Sequence, residues 1–176
     1  IFALSQKFSL DAGTRVSLGT FSSSAVLQFS FAESAAGDTA SLMAAVLATQ
    51  YPGGVTKTRF GFELVRDTMF GNATSGVRPL SDHIPRILVA ILDGPHTGFP
   101  YRTTYDPVAA ASDIRDLGVT IFAVGVGDGI FQEQMDAIAS DKPGGGKYTY
   151  RVDQFADLNW AGVASTSLLE NDLCDV

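Results

Sequence analysis

The sequence feature that most constrains the fold is an unbroken apolar run at residues 87–92, Ile-Leu-Val-Ala-Ile-Leu, which ends in Asp93-Gly94. A strand with one face in water alternates apolar and polar side chains, and this run does not alternate. It therefore predicts a strand covered on both faces, as in a parallel sheet. Ligands of open parallel sheets bind beyond the carboxyl ends of the strands, so Asp93 stands where such a fold places its site.

The residues after this strand predict the repeat of helix and strand that builds a parallel sheet. Asp106-Pro107 is a helix start, because a capping residue precedes a proline at the first helical position, and Gly118 ends that helix. A second buried strand at 119–124 would then pair in parallel with the first. The remaining expected elements are a helix at 131–140 with Phe131, Met135 and Ile138 facing inward, a short strand at 147–152, and a final helix capped by Asp153.

The first half of the chain predicts a helix end at residues 1–10, a hairpin and two further helices. Partial alternation at 14–21 and 25–31, separated by three serines, indicates two strands joined by a short turn, the second at a sheet edge. Asp38 is expected to cap a helix, and apolar spacing predicts another at 58–70. The expected inner face of the helix after Asp38 consists of Leu42, Met43, Val46 and Leu47.

Composition narrows the class of protein. The 176 residues are enough for one domain, and a net charge of -7 argues against nucleic acid and anionic membrane surfaces as partners. No apolar run is long enough for a membrane span. Cys174 is the single cysteine, either a free thiol or half of a disulfide. Asn72-Ala73-Thr74 fits the N-glycosylation pattern, which leans towards secretion.

Two short motifs are candidates for function, and each has a plainer alternative. Asp93-Gly94 also suits a tight hairpin turn, but Pro95 has no N–H to begin a returning strand. The glycines of residues 53–58, Gly-Gly-Val-Thr-Lys-Thr, let the backbone pass close to a ligand and direct the hydroxyl of Thr56 at it. The alternative for this segment is a glycine turn followed by a threonine cap.

Other chemistries find no support in the sequence. The glycines near Lys147 and at residues 125–129 lack the spacing of phosphate and dinucleotide loops. His83 and His96 have no zinc-ligand spacing. His96 is expected in an exposed loop, and the alternative is that it supports Asp93, three residues before it. No nucleophile–base pair can be named, so the chain is expected not to be an enzyme.

Taken together, these stretches resemble the von Willebrand factor type A domain, also called the integrin I domain. The resemblance rests on the strand at 14–22, the threonine loop at 53–58, the strand at 85–94 and the helix and strand at 106–127. It implies a Rossmann-like α/β fold, an open and mostly parallel sheet with one antiparallel edge strand and helices on both faces. It also implies that residues 1–176 form a single domain that is incomplete at its amino end.

The same resemblance implies a metal-ion-dependent adhesion site. In the family an Asp-x-Ser-x-Ser loop, a threonine and an aspartate supply the site, and Thr56 and Asp93 match the last two. Mg²⁺, or Mn²⁺ or Ca²⁺, suits such oxygen ligands. The Asp-x-Ser-x-Ser loop does not occur in this sequence. The first strand of the family is missing too, which is expected to leave two unpaired strand edges.

The predicted function is an extracellular adhesion module that binds a protein ligand, of the extracellular matrix or collagen-like, through the metal. Nucleic acid binding and membrane insertion are not expected. The resemblance also implies that Cys174 pairs with a cysteine before the first strand. Two alternatives remain: a structural matrix module that works without metal, and a subunit of an intracellular complex.

Overall fold

A three-stranded parallel sheet forms the larger layer of the fold. The computed structural model describes residues 13–96, 106–154 and 171–173. Strands β3 (Arg86–Leu92), β4 (Val119–Val126) and β5 (Thr149–Val152) lie in the order β3-β4-β5, and both pairings are parallel. The strands predicted at 87–92, 119–124 and 147–152 are therefore confirmed, with ends that differ by one or two residues.

A separate antiparallel hairpin forms the second sheet. Strands β1 (Leu18–Phe21) and β2 (Ala25–Phe29) pair across the turn of three serines, as predicted. The first strand is shorter than expected because the N–H of Val16 donates to the hydroxyl of Ser34 at 2.9 Å instead of joining a ladder. Within the described residues neither strand pairs with the larger sheet, so the expected pair of unpaired edges is present.

The sequence interpretation missed one helix. The second strand was expected to reach residue 31, but α1 (Phe31–Ala36) begins there. Ser30 and Glu33 form a capping box, in which the Ser30 hydroxyl accepts from the Glu33 N–H and the Glu33 carboxylate accepts from the Ser30 N–H. This arrangement removes Ser30 from the ladder and explains why the strand ends at Phe29.

Four further helices match the predicted positions. Helix α2 (Thr39–Ala48) is capped by Asp38, whose carboxylate accepts from the Ser41 N–H at 2.7 Å. Its inner face was predicted too broadly: Leu42 is buried, but Leu47 is 73% exposed. Five residues turn a helix by about 140° beyond a full circle, so Leu47 points away from Leu42. The other helices are α3 (Thr58–Leu64), which continues as a π-helix at Val65–Phe70, α4 (Val108–Asp116) and α5 (Gln132–Ile138).

The parallel sheet is covered on both faces. One cluster joins Leu92, Ile121 and Ala123 to buried residues of α3, α4 and α5. The other cluster lies on the opposite face and includes Phe122, Val124 and the rings of Tyr148 and Tyr150. Side chains of β4 alternate between these clusters, and every residue of the strand except Thr120 is buried. This explains why the sequence runs show no polar alternation.

Candidate functional site

The carboxyl ends of the parallel strands meet at one edge that carries aspartates. Asp93 directly follows β3, Asp153 directly follows β5, and Asp128 lies two residues beyond β4; all three are exposed. The loop after β4 passes between the other two: the Gly127 N–H donates to the Val152 carbonyl at 2.8 Å, and a Cβ on Gly129 would lie 3.5 Å from the Asp93 carbonyl oxygen. We refer to this end of the molecule as the carboxyl edge.

The threonine loop is fixed against the hairpin turn. The Lys57 N–H donates to the Ser22 carbonyl at 3.0 Å, and the Val55 N–H donates to the Ser23 hydroxyl at 3.2 Å. Gly54 is required here: its φ is +94°, and a Cβ would lie 2.5 Å from the Ser23 hydroxyl oxygen. The glycine therefore lets the loop approach the serine turn, and Thr56 is held beside the carboxyl end of β1.

Contacts at the opposite end of the strands show how β1 and β3 run relative to each other. Arg78 donates to the Gly13 carbonyl, just before β1, and its own carbonyl accepts from the Arg86 guanidinium at the start of β3. The amino ends of β1 and β3 therefore lie at the same end of the molecule. It follows that Thr56, at the far end of β1, and Asp93, at the far end of β3, belong to the carboxyl edge.

Neither of these two side chains is engaged elsewhere in the part of the chain that the structure describes. Thr56 is half-buried and Asp93 is exposed, and no described residue hydrogen-bonds to either side chain. The hydroxyl of Thr58, two residues further on, is fully buried and also lacks a partner among the described residues. The edge thus offers the carboxylate of Asp93, close to those of Asp128 and Asp153, and several hydroxyl oxygens, all of them ligands suited to hard cations.

The sequence interpretation missed several groups at this edge. Ser22 and Ser23 were assigned only a turn, although their hydrogen bonds with Lys57 and Val55 hold them beside Thr56 in the fold. Asp128 and Asp153 were assigned to a loop and a helix cap. Their signal was available, because Asp153 directly follows one predicted parallel strand and Asp128 lies four residues beyond the end of another. Among the described residues, no group of three or more His, Cys, Asp and Glu is arranged to hold a metal ion.

The prediction for His96 is wrong. The residue is 3% exposed, and its backbone N–H donates to the side-chain oxygen of Gln134 at 3.0 Å. Gln134 is itself buried in α5, so this hydrogen bond fixes the loop after Asp93 over the start of that helix. The expected helix at residues 1–10, the final helix after Asp153 and Cys174 lie outside the described residues.

Asn72 occupies the other end of the molecule. Its side-chain oxygen accepts from the N–H and the hydroxyl of Thr74, at 2.9 and 2.8 Å, and caps the 3₁₀ turn Ala73–Ser75. The carbonyl of Gly76, which ends this turn, accepts from Arg15 near the start of β1. A glycan on Asn72 would therefore leave the carboxyl edge open.

This combination of a parallel sheet, a separate hairpin and a threonine loop at the strand ends defines a class of protein. A model of the von Willebrand factor type A domain matches residues 3–161, and the chain belongs to this family. No helix in the described ranges has both the length and the apolar character needed to cross a membrane.

Particular relatives point to adhesion and matrix proteins. The chain is 28% identical over 123 residues to the transmembrane cell adhesion receptor mua-3 of Caenorhabditis elegans, a match over 70% of this chain and 3% of the receptor. It is 31% identical over 129 residues to mouse matrilin-4, a match over 73% of this chain and 19% of the matrilin. The chain thus spans only a small part of the length of each relative.

Solved structures support the fold. Proximal thread matrix protein 1 from the mussel byssus superposes with a TM-score of 0.81 at 20% identity, over 98% of this chain and 40% of that one. A second structure of the mussel protein, described as having a zinc-occupied MIDAS motif, superposes with a TM-score of 0.76. The α/β fold with a mostly parallel sheet is therefore confirmed.

Proposed function

We propose that the chain is an extracellular protein-binding module whose carboxyl edge holds a divalent cation. Thr56 and Asp93 would contribute a hydroxyl and a carboxylate oxygen, and an acidic group of the partner protein would complete the coordination. Asn72 would carry a glycan and Cys174 would form a disulfide in the secreted protein. The partner is expected to be a protein of the extracellular matrix, including collagen-like proteins.

The observation that carries this proposal is the pair of unengaged oxygen ligands at one edge. A carboxylate and a hydroxyl that hydrogen-bond to no described residue are free to bind an ion. The neighbouring Asp128 and Asp153 add negative charge, which raises the local concentration of cations. The zinc-occupied MIDAS motif described for the structurally similar mussel protein supports divalent-metal binding by this fold.

The chemistry of these ligands favours Mg²⁺, Mn²⁺ or Ca²⁺. These hard cations prefer oxygen, and Mg²⁺ retains several waters when a protein supplies few ligands. A divalent cation bound by one carboxylate keeps a net positive charge and can accept a second carboxylate from outside. Asp93 and Thr56 would hold the ion weakly by themselves, and the exposed position of Asp93 leaves room for a ligand on another molecule.

The proposal is tested by measuring Mn²⁺ binding by calorimetry, together with binding to immobilised matrix proteins before and after chelation. Asp93→Ala and Thr56→Ala are expected to weaken Mn²⁺ binding about tenfold or more, with a parallel loss of partner binding. Asp82→Ala is the matched control, because Asp82 is an exposed aspartate just before the amino end of β3. Partner binding that survives both chelation and Asp93→Ala would exclude the metal mechanism.

One observation favours a second candidate function, a matrix module that works without metal. Among the described residues, no three Asp, Glu, His or Cys side chains are close enough together to hold a metal ion. Under this alternative, wild-type protein and Asp93→Ala would bind matrix partners equally well in the presence of a chelator.

A further inference from the structure

A buried polar pair lies close to the carboxyl edge. Gln134 of α5 and His96, three residues after Asp93, are each 3% exposed. The backbone N–H of His96 donates to the side-chain oxygen Oε1 of Gln134 at 3.0 Å, although the two residues are 38 positions apart. This hydrogen bond therefore ties the chain just beyond Asp93 to helix α5.

Packing alone does not require a polar side chain at position 134. The other buried side chains of α5, Met135 and Ile138, are apolar. The Nε2 of Gln134 is buried and has no hydrogen-bond partner among the described residues, which lowers stability. An apolar side chain of similar length would avoid this cost. What the amide supplies in its place is an acceptor for the N–H of His96.

The chain around Asp93 is anchored on both sides of the carboxylate. On one side, Leu92 is the last residue of the parallel ladder between β3 and β4. On the other side, the hydrogen bond from His96 to Gln134 holds the backbone three residues further on. The position of the carboxylate is therefore set by the ladder and by this one side chain of α5 together.

The two residues between the carboxylate and His96 do little to fix the backbone themselves. A Cβ on Gly94 would meet no atom within 4 Å, and glycine has the widest range of backbone angles. Pro95 has no N–H to donate. Without the acceptor on Gln134, the segment is free to rotate about Gly94 and to change the direction of the neighbouring carboxylate.

Both anchors belong to one tightly packed unit. A Cβ on Gly125, the ladder partner of Leu92, would lie 2.7 Å from Ile130 Cγ2 and from Met135 Sδ. Strand β4, the loop after it and α5 are thus in close contact, and Gln134 directly precedes one of the contacting residues. The loop after Asp93 is held against a rigid surface.

We propose that Gln134 is a positioning residue for the cation site: it holds the loop after Asp93 so that the carboxylate is directed at the ion beside Thr56. Gln134 itself does not touch the ion. This inference rests on the proposed function. Groups that orient the ligands of a metal typically change its affinity by about 10- to 100-fold, because a fixed ligand loses less conformational freedom on binding.

The test compares Mn²⁺ binding by calorimetry in matched variants of the same helix. Gln134→Met removes the acceptor at similar side-chain length and is expected to weaken Mn²⁺ binding about tenfold. Gln134→Glu keeps an acceptor oxygen for the His96 N–H and is expected to retain most of the wild-type affinity. Gln132→Met is the control, because Gln132 is exposed and donates to Asp136 and Thr149. It is expected to leave Mn²⁺ binding unchanged.

Amide hydrogen exchange distinguishes positioning from general stabilisation. Without metal, the amide of His96 is expected to exchange at least about tenfold faster in Gln134→Met than in wild type, while the amides of β4 keep their rates. In the wild-type chain, saturating Mg²⁺ is expected to slow exchange at His96. The reason is reciprocity: a hydrogen bond that favours ion binding is itself favoured by the bound ion.

The outcomes separate this inference from the proposed function. Wild-type Mn²⁺ binding that Gln134→Met leaves intact, or that Gln132→Met weakens equally, would overturn the positioning role alone. Faster exchange throughout β4 in Gln134→Met would assign the residue to stability and overturn the role as well. The wild-type measurement needs no variant, and exchange at His96 that does not respond to bound Mg²⁺ would also contradict the role. A wild-type chain that binds no Mn²⁺ would overturn the proposed function and this inference with it.

Discussion

At the scale of single residues, side chains whose partners are distant in sequence could not be predicted. Asp172, in a described segment near the end of the chain, accepts hydrogen bonds from the Tyr150 hydroxyl and from Lys142 Nζ, the latter at 2.6 Å. Lys142 also lies over the ring of Tyr150, 5.0 Å from its centroid. No sequence pattern relates these three positions, because only the folded sheet brings them together.

The first prediction concerns the pH dependence of this cluster. Burial opposes ionisation of Asp172, but the hydrogen bonds from Lys142 and Tyr150 lower its pKa below the ordinary value. The stabilisation it provides is therefore complete above the unfolded-state pKa and is lost as pH falls through the lower, folded-state pKa. Asp172→Asn is expected to lower the free energy of unfolding by about 1–2 kcal/mol at pH 7. It is also expected to make that free energy fall less steeply as the pH is lowered.

Denaturant unfolding between pH 7 and pH about 2.5 measures this effect. Asp141→Asn is the control, because the ion pair of Asp141 with Lys147 is exposed, with 80% of the aspartate side chain accessible. It is expected to change stability by less than about 1 kcal/mol. Equal pH profiles for wild type and Asp172→Asn would show that Asp172 does not stabilise the fold.

The second prediction concerns a close approach at Gly125. A Cβ on this residue of β4 would lie 2.7 Å from both Ile130 Cγ2 and Met135 Sδ. Gly125→Ala is expected to cost about 1–3 kcal/mol because these buried side chains must shift. Gly94→Ala is the control, because a Cβ on Gly94 would meet no atom within 4 Å and its φ is not positive. Gly144 has equally open space but a φ of +89°, so alanine there would strain the backbone. Thermal unfolding of both variants measures the effect. A lower midpoint temperature for Gly94→Ala than for Gly125→Ala would contradict the close packing at Gly125.

At the scale of elements, apolar runs and helix starts were the most informative sequence signals. The strand ending in Asp93 and the helix after Asp106-Pro107 were predicted because their patterns are local: Asp106 accepts from the Val108 N–H at 2.9 Å, and Gly118 ends the helix with a φ of +74°. Helix α1 could have been predicted too, since Ser30 and Glu33 have the spacing of a capping box. The sequence was least informative about which face of a helix is buried, as α2 and α5 show.

The third prediction follows from the corrected face of α5. Phe131 was expected to face inward, but it precedes the helix and is 47% exposed, whereas Met135 is 1% exposed. Met135→Ala is expected to cost about 2–5 kcal/mol by leaving a cavity, and Phe131→Ala less than about 1 kcal/mol. Chemical denaturation of the two variants compares them directly, and a larger loss for Phe131→Ala would show that the sequence prediction of the face was right.

At the scale of the whole molecule, the sequence predicted an α/β fold, and its resemblance to a known family predicted the two unpaired edges. The three arginines at the amino ends of β1 and β3, Arg15, Arg78 and Arg86, could not be predicted as a group, because their positions depend on how the hairpin lies against β3. That residues 1–176 form one incomplete domain stays a prediction. In the folded molecule arginines lie at the amino ends of the strands and three aspartates lie at the carboxyl edge.

The central claim is that Thr56 and Asp93 share one cation at the carboxyl edge. The most direct measurement is amide NMR of the ¹⁵N-labelled chain during titration with Mn²⁺, which broadens resonances close to the bound ion. We predict that residues 54–57 and 93–94 broaden together at low Mn²⁺ and that Asp93→Ala abolishes both effects, while residues 78–82 at the other end stay sharp. Broadening of only one of the two loops, or of neither, would contradict the claim.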